Sequence, residues 1–293
     1  MEQTSPPLPP PASSGAPARR RPPEVFGVVA GRGAFPLLVC RAARQAGVKR
    51  VVALAMHRET AVEIEDAADH TEWFFVGQLQ RGIDYLKRQG VRHCVLAGQV
   101  RPRRLFTGIR PDLRAFRMLR KLQVRNAQTL FSALITEFAK DGIEVLPSTT
   151  FMEDALAGAG VLGRVRPGRR VRRDIAFGLE VAREVSRLEI GQTVVVKKGV
   201  ILAVEGFEGT DQAIRRGGRL GHGGVTVVKL AKPGHDMRFD VPCIGLRTVE
   251  SLRLARAAAL AVRAGATLFL DKSAVLAACD RAGIAVVGIA AGE

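Results

Sequence analysis

Residues 25–36 read VFGVVAGRGAFP, an apolar segment that passes through glycines into a helix-like segment. We predict a buried strand at 25–30, a glycine turn, and a helix at 35–46 with Pro36 in its first turn. Gly47 stands just after the predicted helix, where glycine commonly ends one. A strand, a glycine loop and a helix in this order are typical of the first unit of a Rossmann-like fold.

Strand-like and helix-like segments continue to alternate downstream. Further strands are predicted at 50–55, 73–76, 91–97 and 143–146, and helices at 78–89 and 127–140. Such alternation with short connections favours a parallel sheet covered on both faces. Residues 24–160 are therefore predicted to form a Rossmann-like N-terminal domain.

The composition changes between residues 152 and 167, where glycines dilute the pattern, and we place a domain boundary there. The predicted elements beyond it are a helix at 174–187, a hairpin of 193–196 with 200–204, a short helix at 212–216, a strand at 225–230, a helix at 249–263, and buried strands at 268–270 and 284–289 around a last helix. Residues 161–293 are predicted to form a mixed α/β catalytic domain.

Length and composition limit the class of protein. A chain of 293 residues with 47% hydrophobic content can bury a sizeable core, and its length favours two domains. Residues 1–23 contain eight prolines and are predicted to be a disordered tail. No apolar run has the length of a membrane span or a secretory signal, so we expect a cytoplasmic protein. The four cysteines have no metal-ligand spacing and are expected to be reduced.

The formal net charge of +17 is partly concentrated in two basic segments. In one of them, residues 111–124, basic and apolar residues both recur at helical spacing, which predicts an amphipathic helix with a basic face. The face is either simply solvated or rests on anionic lipid at the inner-membrane surface. Aromatic content of 5% without aromatic and basic interleaving weighs against nucleic acid as a partner.

Two glycine loops follow predicted strands at their carboxyl ends, where ligands collect in open α/β sheets. The candidate substrate-binding residues in these loops are Gly31, Gly33, Ala34, Gly98 and Gln99. The first loop has neither dinucleotide nor P-loop spacing, so a tight structural turn is the alternative.

A second candidate region is acidic and lies in the C-terminal half. Glu205, Glu208 and Asp211 stand with Gly209 and Thr210 where an apolar strand becomes a loop. Carboxylates in this position suit a hard divalent cation and a phosphoryl group. The alternative is a polar loop in which Thr210 or Asp211 caps the next helix. Glu205, at the end of an apolar strand, needs a cation or hydrogen-bond donors in either case.

A charged loop follows the next strand. Lys229 and Lys232 precede it, and Asp240 closes it immediately before an apolar segment. A carboxylate at the rim of a core can hold Mg²⁺ or orient a water molecule. Lys229, Lys232 and Lys197 are candidates to neutralise charge on phosphate oxygens, although lysines in loops are more often only solvated.

These segments together resemble a known family. The resemblance is carried, in order, by residues 31–36, AGQVRP at 97–102, LEIGQ at 188–192, LAVE at 202–205 with EGTD at 208–211, and DVPCIG at 240–245. They are similar to the LpxI-type UDP-2,3-diacylglucosamine pyrophosphatases. One departure is Gln99, where the family usually has Asn.

The resemblance implies a two-domain enzyme of lipid A biosynthesis, often a homodimer. It implies Mg²⁺-dependent attack of water on the diphosphate of UDP-diacylglucosamine, which releases UMP and a lipid monophosphate product (lipid X). The catalytic aspartate of the family falls on Asp240. We expect Glu205, Glu208, Asp211 and Asp240 to surround Mg²⁺, with Gly209 and Thr210 bonded to phosphate.

Two other classes of function stay open on the sequence alone. A nicotinamide-dependent oxidoreductase would need an acidic ribose-binding residue after the second strand, where the chain has Met56 and His57. A non-catalytic protein that binds a nucleotide-sugar lipid would use the same residues without turnover.

Overall fold

The structure is a computed structural model that describes residues 21–100, 111–124, 127–230 and 236–290. Most of the predicted disordered tail, Lys232 and part of the basic segment that precedes residue 111 lie outside these ranges.

The first half forms a five-stranded parallel sheet, as predicted. Its strands lie in the order β3-β2-β1-β4-β5. They are β1 (Val25–Ala30), β2 (Arg50–Met56), β3 (His70–Phe74), β4 (His93–Ala97) and β5 (Glu144–Val145). The helices are α1 (Phe35–Gln45), α2 (Ile64–Ala67), α3 (Leu79–Arg88), α4 (Leu113–Arg120) and α5 (Ala127–Lys140). This order and direction confirm the Rossmann-like prediction.

Alternate residues of β1 serve two separate cores, because side chains of a strand point to opposite faces. Phe26 and Val28 pack in the cluster that contains α1 residues such as Val39. Val29 packs on the other face with Ile83 of α3 and Phe138 of α5. Both faces of the sheet are therefore covered by helices, as the apolar character of its strands predicted.

The second half forms a mixed sheet of six strands in the order β6-β13-β11-β9-β7-β8. Its strands are β6 (Gly160–Val161), β7 (Thr193–Lys197), β8 (Val200–Val204), β9 (Val225–Lys229), β11 (Ala257–Arg263) and β13 (Ala285–Ile289). The helices are α6 (Arg169–Arg187), α7 (Thr210–Leu220), α8 (Leu246–Leu254) and α9 (Lys272–Arg281). The predicted hairpin is confirmed, because β7 and β8 pair antiparallel.

One predicted helix is wrong. Residues 249–263 divide into α8 and the strand β11, with Arg256 between them in the left-handed region at φ 46°. β11 pairs with both β9 and β13, so it lies inside the sheet and most of its side chains are buried. Its alanines favour a helix locally, but burial on both faces of a sheet outweighs that preference.

A small pair of strands joins the two halves. β10 (Cys243–Ile244) pairs in parallel with β12 (Leu268–Phe269). Leu268 belongs to the core cluster of the first sheet, while Phe269 belongs to the core of the second. Lys272 also donates to the carbonyl oxygens of Asp154 and Leu156 at 2.9 and 2.7 Å. The segment that carries Asp240 therefore lies beside the N-terminal half.

The predicted basic helix is shorter than expected and only partly a basic surface. α4 begins after Asp112, whose carboxylate accepts a hydrogen bond from the N–H of Ala115. Arg114 does not lie on a solvated face: its side chain pairs with Glu137 at 2.7 Å and with Asp141 at 2.6 Å. That part of the prediction is wrong because the arginine completes an ion cluster with α5.

Candidate active site

The candidate site is centred on Lys229, the last residue of β9. The residue is 4% exposed, and its ammonium donates to Thr210 Oγ1 at 2.6 Å. Burial lowers the pKa of Lys229, while the negative charges of Glu205, Asp211 and Asp240 act in the opposite direction. The buried ammonium is thus linked to the acidic loop through Thr210, and the charge of Asp240 in the other loop also acts on its pKa.

Glu205 and Thr210 connect the end of β8 to the start of α7. Thr210 Oγ1 accepts from Lys229 and donates to Glu205 Oε1 at 2.9 Å, which makes a short chain of hydrogen bonds. Glu205 is 7% exposed, and its backbone N–H donates to Thr193 O at 2.8 Å. Its second oxygen, Oε2, is buried and has no hydrogen-bond partner among the described residues.

Asp211 and Glu208 differ in how their oxygens are used. Asp211 Oδ2 pairs with Arg247 at 3.1 Å, while Oδ1 is buried without a partner within the described ranges. Glu208 Oε1 accepts from Arg216 at 2.6 Å and Oε2 accepts from the N–H of Gly206 at 3.0 Å. The Arg216 bond lowers the pKa of Glu208. Glu208 is therefore engaged within its own loop.

Gly209 supplies the geometry that starts α7. It is the residue before Thr210 and has φ 83°, in the left-handed region that favours glycine. No side chain caps this helix end, so Thr210 directs its hydroxyl to Lys229 and Glu205 instead. The alternative in which Thr210 or Asp211 caps α7 is wrong.

Asp240 stands at the end of a turn that is fixed to the N-terminal half. Its backbone N–H donates to Asp236 O at 3.1 Å, and Arg238 forms a two-pronged ion pair with Asp236. Ser148, 1% exposed, donates its N–H to Met237 O at 2.8 Å. Asp240 also acts on Cys243, whose thiol pKa is raised to about 12, first by burial and then by this carboxylate.

The two glycine loops predicted to bind substrate bond to each other. Gly31 donates to Ala97 O at 2.7 Å, and Arg32 and Gln99 exchange backbone hydrogen bonds at 2.7 and 3.1 Å. A Cβ at Gly31 would lie 2.8 Å from Gln99 O, and one at Gly98 would lie 2.8 Å from Arg32 O. The tight structural turn, given as the alternative, explains these two glycines.

Gly33 differs from Gly31 and Gly98 in its surroundings, because a Cβ at Gly33 would meet nothing within 4 Å. Gly33 and Ala34 are exposed, as are Gly98 and Gln99. Ala34 precedes α1 without a side-chain cap. A role in substrate binding stays a prediction for all five loop residues.

Sequence reasoning missed the apolar cavity beside β1. It lies between the first sheet and α3, α4 and α5, is partly open to solvent, and has a volume of about 150 Å³. Its walls include Leu54, Met118, Leu119, Phe131 and Leu134. The signal in the sequence was the apolar content of residues 130–138, which lie in the predicted helix at 127–140.

Sequence reasoning also missed Arg247 and Ser148, which fix Asp211 and the turn of Asp240. Neither residue stands near its partner in the sequence, so no spacing indicated the contact. Lys197, a candidate for phosphate binding, donates instead to the carbonyl oxygens of Gly221 and Gly223 at 2.5 and 2.7 Å.

No group of three or more His, Cys, Asp or Glu side chains within the described residues is arranged to hold a metal ion. The predicted magnesium ligands therefore stay a prediction. Across the same part of the chain, no helix combines the length and apolar character needed to cross a membrane.

Comparisons with known proteins identify the family of this chain. Residues 25–155 match the LpxI N-terminal domain, and residues 158–287 match the LpxI C-terminal domain. The chain belongs to the LpxI family. A curated relative, the UDP-2,3-diacylglucosamine pyrophosphatase LpxI of Caulobacter vibrioides (strain ATCC 19089 / CIP 103742 / CB 15), is 32% identical over 278 residues. That match covers 90% of this chain and 97% of the relative. The LpxI match includes both candidate loops and the Asp240 segment.

Solved structures add no argument to the LpxI assignment. The biotin carboxylase domain of a thermophilic 2-oxoglutarate carboxylase is similar at 15% identity and a TM-score of 0.25, over 63% of this chain and 36% of that one. The biotin carboxylase subunit of pyruvate carboxylase is similar at 16% identity and the same TM-score, over 62% of this chain and 35% of that one.

Proposed function

We propose that this LpxI family member hydrolyses the diphosphate of UDP-2,3-diacylglucosamine to UMP and 2,3-diacylglucosamine 1-phosphate in lipid A biosynthesis. The observation that carries the proposal is the buried Lys229, whose ammonium is bonded to Thr210 and through it to the buried carboxylate of Glu205. The named activity of the Caulobacter relative supports it.

Lys229 and Thr210 are proposed to bind the diphosphate. A buried ammonium in a site of low dielectric stabilises charge on phosphate oxygens more strongly than an exposed one does. Thr210 holds that ammonium in place at 2.6 Å, and Glu205 holds Thr210 at 2.9 Å. The chain of hydrogen bonds fixes the cation before substrate arrives.

Asp240 is proposed to be the catalytic residue that orients and deprotonates the attacking water. Its turn is bonded to Ser148 and contains the Arg238–Asp236 ion pair. The negative charge of Asp240 acts against the lowering of the Lys229 pKa by burial, which supports a base in the neighbourhood of the proposed phosphate site.

The residues around Lys229 suit a hard cation in part. Glu205 Oε2 and Asp211 Oδ1 are buried carboxylate oxygens without partners in the described part of the chain, and such oxygens are the ligands that Mg²⁺ prefers. Magnesium commonly uses one or two carboxylates and takes its other ligands from substrate phosphates and water. We propose Glu205 and Asp211 as its protein ligands. Glu208, whose oxygens are engaged, and Asp240, which is proposed as the base, are left out. When bound, Mg²⁺ would neutralise charge on the diphosphate.

The apolar cavity supports the lipid part of the proposed substrate. Its walls are almost wholly apolar side chains of the N-terminal half, a suitable environment for an acyl chain. Phe131 in its wall stacks on Phe239, the residue before Asp240. We propose that the sugar and nucleotide lie near Lys229 while acyl chain enters this cavity.

Membrane contact and dimer formation are further proposals. α4 exposes Leu113 and Phe116, which are 63% and 48% exposed, together with Arg117 and Arg120. Apolar and basic side chains on one short helix suit the surface of an anionic bilayer, which would keep a cytoplasmic enzyme near its lipid substrate. The homodimer is carried over from the family resemblance, and size-exclusion chromatography with light scattering tests it.

The activity is tested by incubating purified protein with UDP-2,3-diacylglucosamine, with Mg²⁺ or with EDTA. We expect UMP only with wild type and Mg²⁺, and we expect Asp240→Ala to bind the lipid without turnover. Binding by wild type without UMP would favour a non-catalytic lipid-binding protein. UMP release that EDTA leaves unchanged would remove the magnesium proposal alone.

A further inference from the structure

The turn that carries Asp240 follows β9 of the second sheet in the sequence but is attached to the first sheet. The Ser148 hydroxyl lies 2.6 Å from Leu96 O and 2.7 Å from Arg238 O, and Leu96 belongs to β4. Ser148 N–H adds the bond to Met237 O at 2.8 Å.

An aromatic pair makes a second attachment on the same turn. The rings of Phe131 and Phe239 are nearly parallel, with centroids 5.2 Å apart and an interplanar angle of 11°. Phe239 also packs against the core cluster between the first sheet, α3 and α5. The position of Phe239 therefore depends on α5.

Phe131 has a second role, because its ring also lines the apolar cavity. Phe131 in the cavity wall stacks on Phe239, and Phe239 is the residue before Asp240. Phe239 and Asp240 both donate their backbone N–H to Asp236 O, at 3.1 Å each, so the turn moves as a unit.

We propose that Phe239 is a positioning residue that couples occupancy of the apolar cavity to the placement of the Asp240 carboxylate. An acyl chain packed against Phe131 would hold the Phe131–Phe239 stack in place. The stack would in turn hold the turn of residues 236–240. Contacts to a remote part of the substrate then raise kcat and not only affinity, because they improve the geometry of the reacting groups. The inference deepens the proposed function and rests on it.

The test compares two substrates, UDP-2,3-diacylglucosamine and acyl-free UDP-glucosamine, in wild type and Phe239→Leu. We expect Phe239→Leu to lower kcat for the diacyl substrate by about tenfold with KM within about threefold, the pattern of an interaction used in the transition state. The ratio of the two kcat values, diacyl to acyl-free, should fall by a similar factor. Phe239→Tyr keeps the ring and should restore most of that ratio.

The matched control is Phe151→Leu. Phe151 forms another aromatic pair, with Phe26 at 5.1 Å, in the first half but away from the cavity walls. We expect this variant to lower the melting temperature while leaving the kcat ratio at the wild-type value. Melting curves of all variants separate loss of fold from loss of coupling.

The outcomes distinguish the two proposals. If wild type releases no UMP from the diacyl substrate, the proposed function fails and this inference fails with it. If wild type is active but Phe239→Leu lowers turnover of both substrates equally, or of neither, the coupling is overturned and the function stands.

Discussion

The ends of β1 and β4 in the first sheet and the ends of β8 and β9 in the second are closed in opposite ways. In the first, Gly31 and Gly98 let two loops approach until their backbones bond, and no charged side chain is needed. In the second, Lys229 and Glu205 are buried and linked by Thr210, and a carboxylate oxygen of Glu205 lacks a partner in the described part of the chain. A closed backbone joint holds the fold together, whereas buried charge left incompletely paired indicates a place for a ligand.

Loss of the Lys229 charge should have the largest effect. We expect Lys229→Met to lower kcat/KM for UMP release by about 10²–10³-fold, the loss typical when one preorganised donor to developing charge is removed. The measurement is steady-state kinetics on UDP-2,3-diacylglucosamine. The matched control is Lys197→Met, because Lys197 is also a strand lysine but donates to backbone carbonyls. Equal losses in the two variants would show that Lys229 is only structural.

A substitution where the Gly31 and Gly98 loops meet should lower stability and not activity. Gly98→Ala forces a Cβ to 2.8 Å from Arg32 O at φ 96°, and we expect the free energy of unfolding to fall by about 2–4 kcal/mol. Gly33→Ala is the control, because it has a similar φ of 97° but open space, and about 1–2 kcal/mol is expected there. Urea unfolding measures both. If Gly98→Ala is no less stable than Gly33→Ala, the close approach of the two glycine loops does not stabilise the fold.

Thr210 links the cation to Glu205, and its hydroxyl should matter less than the charge. We expect Thr210→Val to lower kcat/KM about tenfold, equivalent to one hydrogen bond of about 1.4 kcal/mol. Thr210→Ser keeps the hydroxyl and should stay within about threefold of wild type. Loss of activity in the serine variant as great as in the valine variant would assign the effect to the methyl group.

The reactivity of the Cys243 thiol reports on the burial of the site and not on turnover. The pKa of Cys243 is raised to about 12, so almost none of it is thiolate at pH 8. Iodoacetamide should therefore label the native protein about 10³-fold more slowly than free cysteine, with full labelling in denaturant. Rapid labelling of Cys243 in the native protein would show that the Lys229 site is wetter than described.

The sequence predicted the first sheet well because its strands and helices alternate at short spacing and end at glycines. The 127–140 helix, for example, is observed at those residues as α5. It failed at β11, where alanines favour a helix and only pairing with two neighbouring strands makes a strand. Local preference cannot report such long-range pairing.

The sequence also indicated Glu205, Thr210 and Asp240, because carboxylates at the ends of apolar strands need partners. It could not show that Lys229 lies at their centre or that Glu208 turns back to Arg216. It gave no sign of the Phe131–Phe239 stack, since these residues are brought together only when the two halves pack. Contacts between halves depend on packing and leave no periodic pattern.

The most direct test of the comparison is a crystal structure of Asp240→Ala with UDP-2,3-diacylglucosamine and Mg²⁺. We predict the diphosphate within hydrogen-bond distance of Lys229 Nζ and Thr210 Oγ1, with acyl chain against Phe131. A diphosphate bound at the loops of Gly31 and Gly98, with no contact to Lys229, would contradict the account.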